Sequence, residues 1–217
     1  MTAKPHQTIT PELLLHGYAS GFFPMSDNAG DPEIFWVDPQ LRGIFPLDKF
    51  HVSRRLARRI KRQEYTVTVD QCFDVVVTAC ANRAETWINT EIFDLYGQLY
   101  DLGYAHSIEV MDGSTLVGGV YGVALNGVFF GESMFSLRTD TSKIALTYLV
   151  ARLKYGGFTL FDTQFQTAHL KSLGAREISR DAYHRKLSNA LNTTADFSKL
   201  DISTQPPDIL HLSNHTS

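Results

Sequence analysis

The chain has 217 residues, 43% of them apolar and 20% charged, a globular balance with room for one sizeable core or a core and a small appendage. Its net charge of −3 excludes a uniformly basic nucleic-acid-binding domain, and it contains no run of apolar residues long enough to span a bilayer. The opening stretch MTAKPHQTITPE lacks an apolar signal core, and Cys72 and Cys80 are spaced poorly for a disulfide and wrongly for zinc, so a reduced, cytoplasmic protein is expected.

Thr10 followed by Pro11 and Glu12 starts a helix that runs to about Ser20 and stops at Gly21. The next stretch, FFPMSDNAGDPEIFWVDPQLRGIFPLDKF, is broken by prolines, Asp and Gly, and reads as irregular structure with aromatic anchors. HVSRRLARRIKRQ follows, with Ser53 as a helix cap and Leu56, Ala57 and Ile60 as a narrow apolar face. Its Arg54, Arg55, Arg58, Arg59, Lys61 and Arg62 have no acid among them. Like charges at i, i+4 repel, so this face reads more readily as a phosphate contact than as a merely solvated surface.

YTVTV alternates as a strand does. Asp70 is placed to cap a helix with Phe73, Val76, Val77 and Cys80 inward, and Asn89 to cap another that ends at Gly103. AHSIEVM, TLVGGVYGVAL and VFFGESM are separated by Asp112-Gly113 and Asn126-Gly127, dipeptides that favour the tight turns matching strand twist. A three-stranded antiparallel meander follows. A helix over about Thr141–Tyr155, a buried strand FTLFD, a short helix around His169–Leu173, a strand AREIS and a last helix from Asp181 complete the pattern. Beyond Asn189 the composition turns polar, and a loosely ordered tail is expected.

This order, meander then helix then strand, resembles the GCN5-related acetyltransferase superfamily, an α+β fold. Those enzymes cradle the CoA pyrophosphate on a glycine-rich turn at the helix start. Here the corresponding SLRTDTSKIAL has no glycine and carries Asp140, which would repel a pyrophosphate.

The strings GYASGFFPMSD, FWVDP, RGIFPLDKFHVSR, TWI, AHSIEV, LVGGVYGVA, FFGESMFS, FDTQF and SLGAREISR occur in one order. Together, over roughly residues 10–190, they resemble the bacterial leucyl/phenylalanyl-tRNA–protein transferase family. That resemblance implies an acetyltransferase-like catalytic domain that works without CoA, with no metal and no other cofactor. It implies transfer of Leu or Phe, and Met less well, from aminoacyl-tRNA to proteins with N-terminal Arg or Lys, marking them for N-end rule degradation. The expected organisation is an N-terminal helix and irregular segment over residues 1–50, a catalytic domain over 51–195 with the basic helix at 53–62, and a flexible tail over 196–217. Many members carry a longer segment ahead of the position of residue 10, so no tRNA contact from such a segment is expected here.

The resemblance also implies roles. Asp162 orients or polarises Gln164, and Gln164 hydrogen-bonds the attacking α-amine; the plainer reading is an Asp capping the next turn and a Gln satisfying loop backbone. Glu132 stands in GVFFGESMFS, and an ionised carboxylate in such company calls for a partner. It is expected to receive the basic acceptor, although a protein group would also satisfy it. Val120, Phe129, Met134, Leu146, Leu149 and Phe161 map onto the aminoacyl pocket, where each alone reads as core. Trp36 and Trp87 map onto positions flanking the 3′ adenosine, and the alternative for both is a hydrophobic anchor. Eight histidines show no metal spacing. The competing functions are a CoA-dependent N-acetyltransferase and a non-catalytic RNA-binding adaptor.

Overall fold

A computed structural model describes residues 9–82 and 86–214. The chain runs through α1 (Pro11–Ala19), β1 (Phe23–Met25), β2 (Phe35–Val37), β3 (Leu41–Phe45), α2 (Arg54–Lys61), β4 (Thr66–Val69), α3 (Phe73–Ala81) and α4 (Thr90–Asp101). It continues with β5 (Ala105–Asp112), β6 (Thr115–Leu125), β7 (Val128–Ser136), α5 (Thr141–Gly156), β8 (Leu160–Gln164), α6 (Ala168–Ser172), β9 (Arg176–Ser179), α7 (Arg180–Leu191) and α8 (Pro206–Asn214). Seven strands form one mixed sheet in the order β4-β5-β6-β7-β8-β3-β9, and β1 pairs with β2 separately. The architecture is α+β.

Local chemistry places most of these elements. Thr10 caps α1 and Asn89 caps α4, each side-chain oxygen accepting from a backbone N–H three residues on. Gly113 and Asn126 take the positive φ that the two meander turns need. The β-pleat then sends alternate residues to opposite faces. Phe130 packs with α1, α3, α4 and α7 in one core; its neighbour Phe129 packs with α2 and α5 in the other. The sheet is therefore covered on both faces. Among the described residues no helix is long and apolar enough to cross a membrane.

Three expectations are corrected. The proline-rich stretch is not wholly irregular, because Leu41–Phe45 is an interior strand between β8 and β9. Gly43 is required there: a side chain at this position would press to within 2.8 Å of the backbone at Phe165. Asp70 does not cap α3; it accepts from the Ser107 amide at 2.7 Å and meets His106 Nδ1 at 2.8 Å. The segment over residues 196–214 is not loose. Phe197 is buried and stacks on Phe129 and His106, while Arg152 of α5 donates to the Phe197 carbonyl at 2.8 Å. Helix α8 buries Ile209 and Leu210 beside α5.

The site lies where β7 and β8 part. They pair in parallel from Val128↔Leu160 to Phe130↔Asp162, and the recorded pairing stops there. Beyond that point β7 carries Glu132 and Met134, and β8 carries Thr163 and Gln164.

Candidate active site

Asp162 ends the part of β8 that pairs with β7 and has no exposure to solvent. Arg42 of β3 donates to it through Nε at 3.0 Å and Nη2 at 2.6 Å, and the Tyr183 hydroxyl of α7 donates at 2.7 Å. The guanidinium lies between the rings of Phe23 and Tyr183, 4.5 and 4.3 Å from their centroids, and donates to the Gly21 carbonyl at 2.9 Å. Burial opposes the charge on Arg42, yet the Asp162 carboxylate more than offsets this and holds the guanidinium above its ordinary pKa.

The remaining acceptor capacity of Asp162 goes to backbone. Its Oδ1 accepts from the Gln164 N–H at 2.8 Å, and Gln164 sits at φ 59°, a conformation that a non-glycine residue seldom keeps without such a tether. Asp162 thus orients Gln164 from behind and does not line the groove beside it. Gln164 turns its Nε2 to Glu132 Oε1 at 2.9 Å.

Glu132 is nearly buried. Two phenols also hold it, Tyr18 of α1 and Tyr96 of α4, each donating at 2.7 Å. Its partners are therefore protein groups, and none is a cation. Desolvation pushes its carboxyl up to about 7 against the three hydrogen bonds, and the nearby Asp162 adds to the rise. A carboxyl poised there exchanges protons at neutral pH.

These groups edge a groove of about 600 Å³ whose walls include Trp87, Met134, Lys143, Phe165 and His169. An adjoining apolar cavity of about 80 Å³ is lined by Val120, Met134, Leu146, Phe161 and Leu170. Four of the six expected pocket residues thus meet around one space. Phe129 and Leu149 do not line it and are core side chains, each 1% exposed. Trp87 lines the groove, whereas Trp36 is not among its lining residues and is seated on Gly17 of α1. Phe165, 46% exposed and edge-on to Phe23, accompanies Trp87 on the groove wall, as does the buried Phe135.

The basic helix divides into two sets. Arg55 and Arg59 reach Asp140 at 2.8 and 3.3 Å, and Arg59 also holds Glu64 and the Thr139 carbonyl. Lys143 closes on the same carboxylate at 3.1 Å. Asp140, which burial would push up, is held below its usual pKa by Lys143 and Arg55. Arg54, Arg58, Lys61 and Arg62 are exposed on α2.

Sequence reasoning missed Arg42, Tyr18, Tyr96 and Tyr183. Arg42 lay within the quoted RGIFP string, and the one available signal was that a carboxylate ending a buried strand requires a buried donor. Tyr18 likewise lay within the quoted GYASGFFPMSD string, and Tyr96 and Tyr183 gave no signal beyond their place on apolar helix faces.

The family profile described as leucyl/phenylalanyl-tRNA protein transferase matches residues 44–188, and that of its N-terminal domain matches residues 7–40. A leucyl/phenylalanyl-tRNA–protein transferase of Cereibacter sphaeroides is 59% identical over 96% of this chain and 98% of its own length. One from a Ruegeria species is 60% identical over 88% of this chain and 90% of its own. Among solved structures, L-PGS from Bacillus licheniformis superposes with a TM-score of 0.39 at 18% identity, covering 74% of this chain and 55% of that one, a distant likeness.

Proposed function

The chain belongs to the leucyl/phenylalanyl-tRNA protein transferase family and is an aminoacyltransferase, and from that premise we propose how its groove works. The 3′ end of an aminoacyl-tRNA carrying Leu, Phe or, less well, Met enters between the rings of Trp87 and Phe165. Its side chain fills the cavity at Met134, Leu146 and Phe161. Such a cavity accepts an unbranched or γ-branched chain and excludes β-branched ones by shape, since polarity does not distinguish them. The exposed Arg54, Arg58, Lys61 and Arg62 meet the phosphates of the acceptor arm.

The acceptor is a protein with N-terminal Arg or Lys, and the modified protein is marked for N-end rule degradation in the cytoplasm. Its α-amine sits between the Gln164 amide and Glu132. Glu132 takes the amine proton, the nitrogen bonds to the acyl carbon, and the ester bond to ribose breaks. The ribose oxygen leaves with a proton. Asp162 is a positioning residue in this scheme: its charge is committed to Arg42, and it acts through the backbone of Gln164. The parting of β7 and β8 after a meander supports reading the scaffold as acetyltransferase-like. At its α5 end, Asp140 and its three cations stand where an acyl-CoA enzyme would offer free amides to a pyrophosphate.

The observation that carries the proposal is the Glu132–Gln164 contact of 2.9 Å beside an apolar cavity. The test incubates the protein with labelled Phe-tRNA and peptides differing only at residue one. Label should pass to peptides beginning with Arg or Lys and not to one beginning with Asp. RNA binding without transfer, or acetyl transfer from CoA, would replace this reading with one of its competitors.

A further inference from the structure

Around Glu132 three oxygen pairs approach closely. The Tyr18 and Tyr96 hydroxyls lie 2.6 Å apart, Tyr18 lies 2.7 Å from Oε1, and Tyr96 lies 2.7 Å from Oε2. Each phenol brings one proton. With Glu132 ionised, two protons serve three contacts, so one oxygen pair faces the other with nothing between. When both phenols donate to the carboxylate, the bare pair is Tyr18 and Tyr96. A third proton on the carboxyl closes the set: carboxyl Oε2 donates to Tyr96, Tyr96 to Tyr18, and Tyr18 to Oε1. That direction leaves Oε1 free to accept from Gln164 as well.

We propose that Tyr18 and Tyr96 store the reaction's proton for Glu132: the proton given up by the acceptor amine completes this three-oxygen ring and stays there until the leaving ribose oxygen takes it. The inference rests on the transferase reading of the groove. The balance closes without a further reactant. The nitrogen–carbon bond forms, the carbon–oxygen bond to ribose breaks, and one proton passes from nitrogen to the ring and from the ring to oxygen. Both phenols have no exposure to solvent, so they act through Glu132 and are positioning residues.

The surroundings fit this use. Burial first, and then the Glu132 charge, hold both phenols well above their ordinary pKa, so neither surrenders its own proton. From β8, Gln164 donates to Glu132 and Asp162 disfavours its charge; Arg42 of β3 is committed to Asp162. Tyr121 of β6 packs edge-on to Tyr96 with centroids 5.4 Å apart. No cation among these groups fixes Glu132 as a permanent carboxylate.

Infrared titration of the full chain from about pH 5 to about pH 9 follows the protonated-carboxyl band that Glu132→Gln removes. In the unmodified protein that band should fade with a midpoint near 7. Tyr18→Phe and Tyr96→Phe each open the ring that the proton completes, so each should lower the midpoint by about one pH unit, a tenfold loss of proton affinity; a rise, as expected if the phenols served only as donors to the carboxylate, overturns the proposal. The rising limb of single-turnover transfer against pH should move with it, while binding of an aminoacyl-adenosine analogue stays unchanged. A midpoint in the usual carboxylate range in the unmodified protein overturns the proposal, whether or not the variants fold. So does a midpoint unmoved by both substitutions, or one that moves while the transfer profile does not. Failure of the transferase reading looks different: no peptide is labelled at any pH, while the carboxyl still titrates near 7.

Discussion

Asp162→Asn separates a structural carboxylate from a chemical one. The substitution keeps size and an oxygen for the Gln164 amide, and removes the charge opposite Arg42. Both side chains of that pair are fully out of water, and Arg42 has no second carboxylate within salt-bridge distance among the described residues. Removing one partner of such a buried pair costs about 3–5 kcal/mol, because the other charge stays buried and unpaired. In a chain of this size each kcal/mol lowers Tm by about 2–4 °C, so a fall of roughly 6–20 °C is expected. Thermal unfolding measures it, beside single-turnover transfer well below the transition. Transfer should fall by much less than the about 10²–10⁴ that accompanies loss of a general base. The double variant with Arg42→Met should recover part of the loss, since no lone charge remains. An unchanged Tm with a hundredfold or greater fall in transfer (about 10² or more) would refute the reasoning and make Asp162 a direct proton carrier.

Three further outcomes follow from the same geometry. Reversing Arg54, Arg58 and Arg62 to Glu should weaken tRNA binding and reduce its salt slope by about 3, leaving aminoacyl-adenosine binding intact in a filter-retention assay. Phe165→Ala should cost about 1–3 kcal/mol in binding of the adenosine analogue, whereas Trp36→Phe should lower Tm without affecting that affinity, both read by calorimetry. The carboxyl of Glu132, raised to about 7, binds its proton more tightly folded than unfolded, so its contribution to stability is complete below about 4.5 and is lost as pH rises towards 7. Urea unfolding should therefore show stability falling between those values by on the order of 3 kcal/mol, and Glu132→Gln should flatten that fall.

What was legible in the sequence is what local chemistry decides. Asp112-Gly113 and Asn126-Gly127 give the meander, and Thr10, Ser53 and Asn89 give helix starts, because turn and cap preferences act within a few residues. The strand Leu41–Phe45 was not legible, since its partners in β8 and β9 lie more than a hundred residues away and its flanking prolines imitate a loop. Asp70 followed the capping pattern, yet a distant backbone amide at Ser107 competed successfully for it. The polar tail misled for a different reason: Phe197, Leu200, Ile209 and Leu210 are few, but each meets a prepared surface on or near α5. At the site, Asp162, Gln164 and Glu132 stood within strings specific to a family. Arg42 and the three tyrosines gain meaning only once the chain has brought them together.

The placement of β3 between β8 and β9 bears on how the protein comes off the ribosome. Arg42 is made long before Asp162, and Tyr18 long before Glu132, so the early part of the chain must wait for its counter-charge and its acceptor. The sheet cannot be completed in the order of synthesis, because the sixth strand of its spatial order, β3, is an N-terminal segment held between two late ones, β8 and β9. Such distant pairings make folding slow, since loop closure precedes any gain from contact. They also guard the reaction: a truncated chain ending before α7 lacks Tyr183, and one beginning after α1 lacks Tyr18. Neither fragment carries the whole of the proposed catalytic assembly, so on that reading competence to modify other proteins arrives only with the finished molecule.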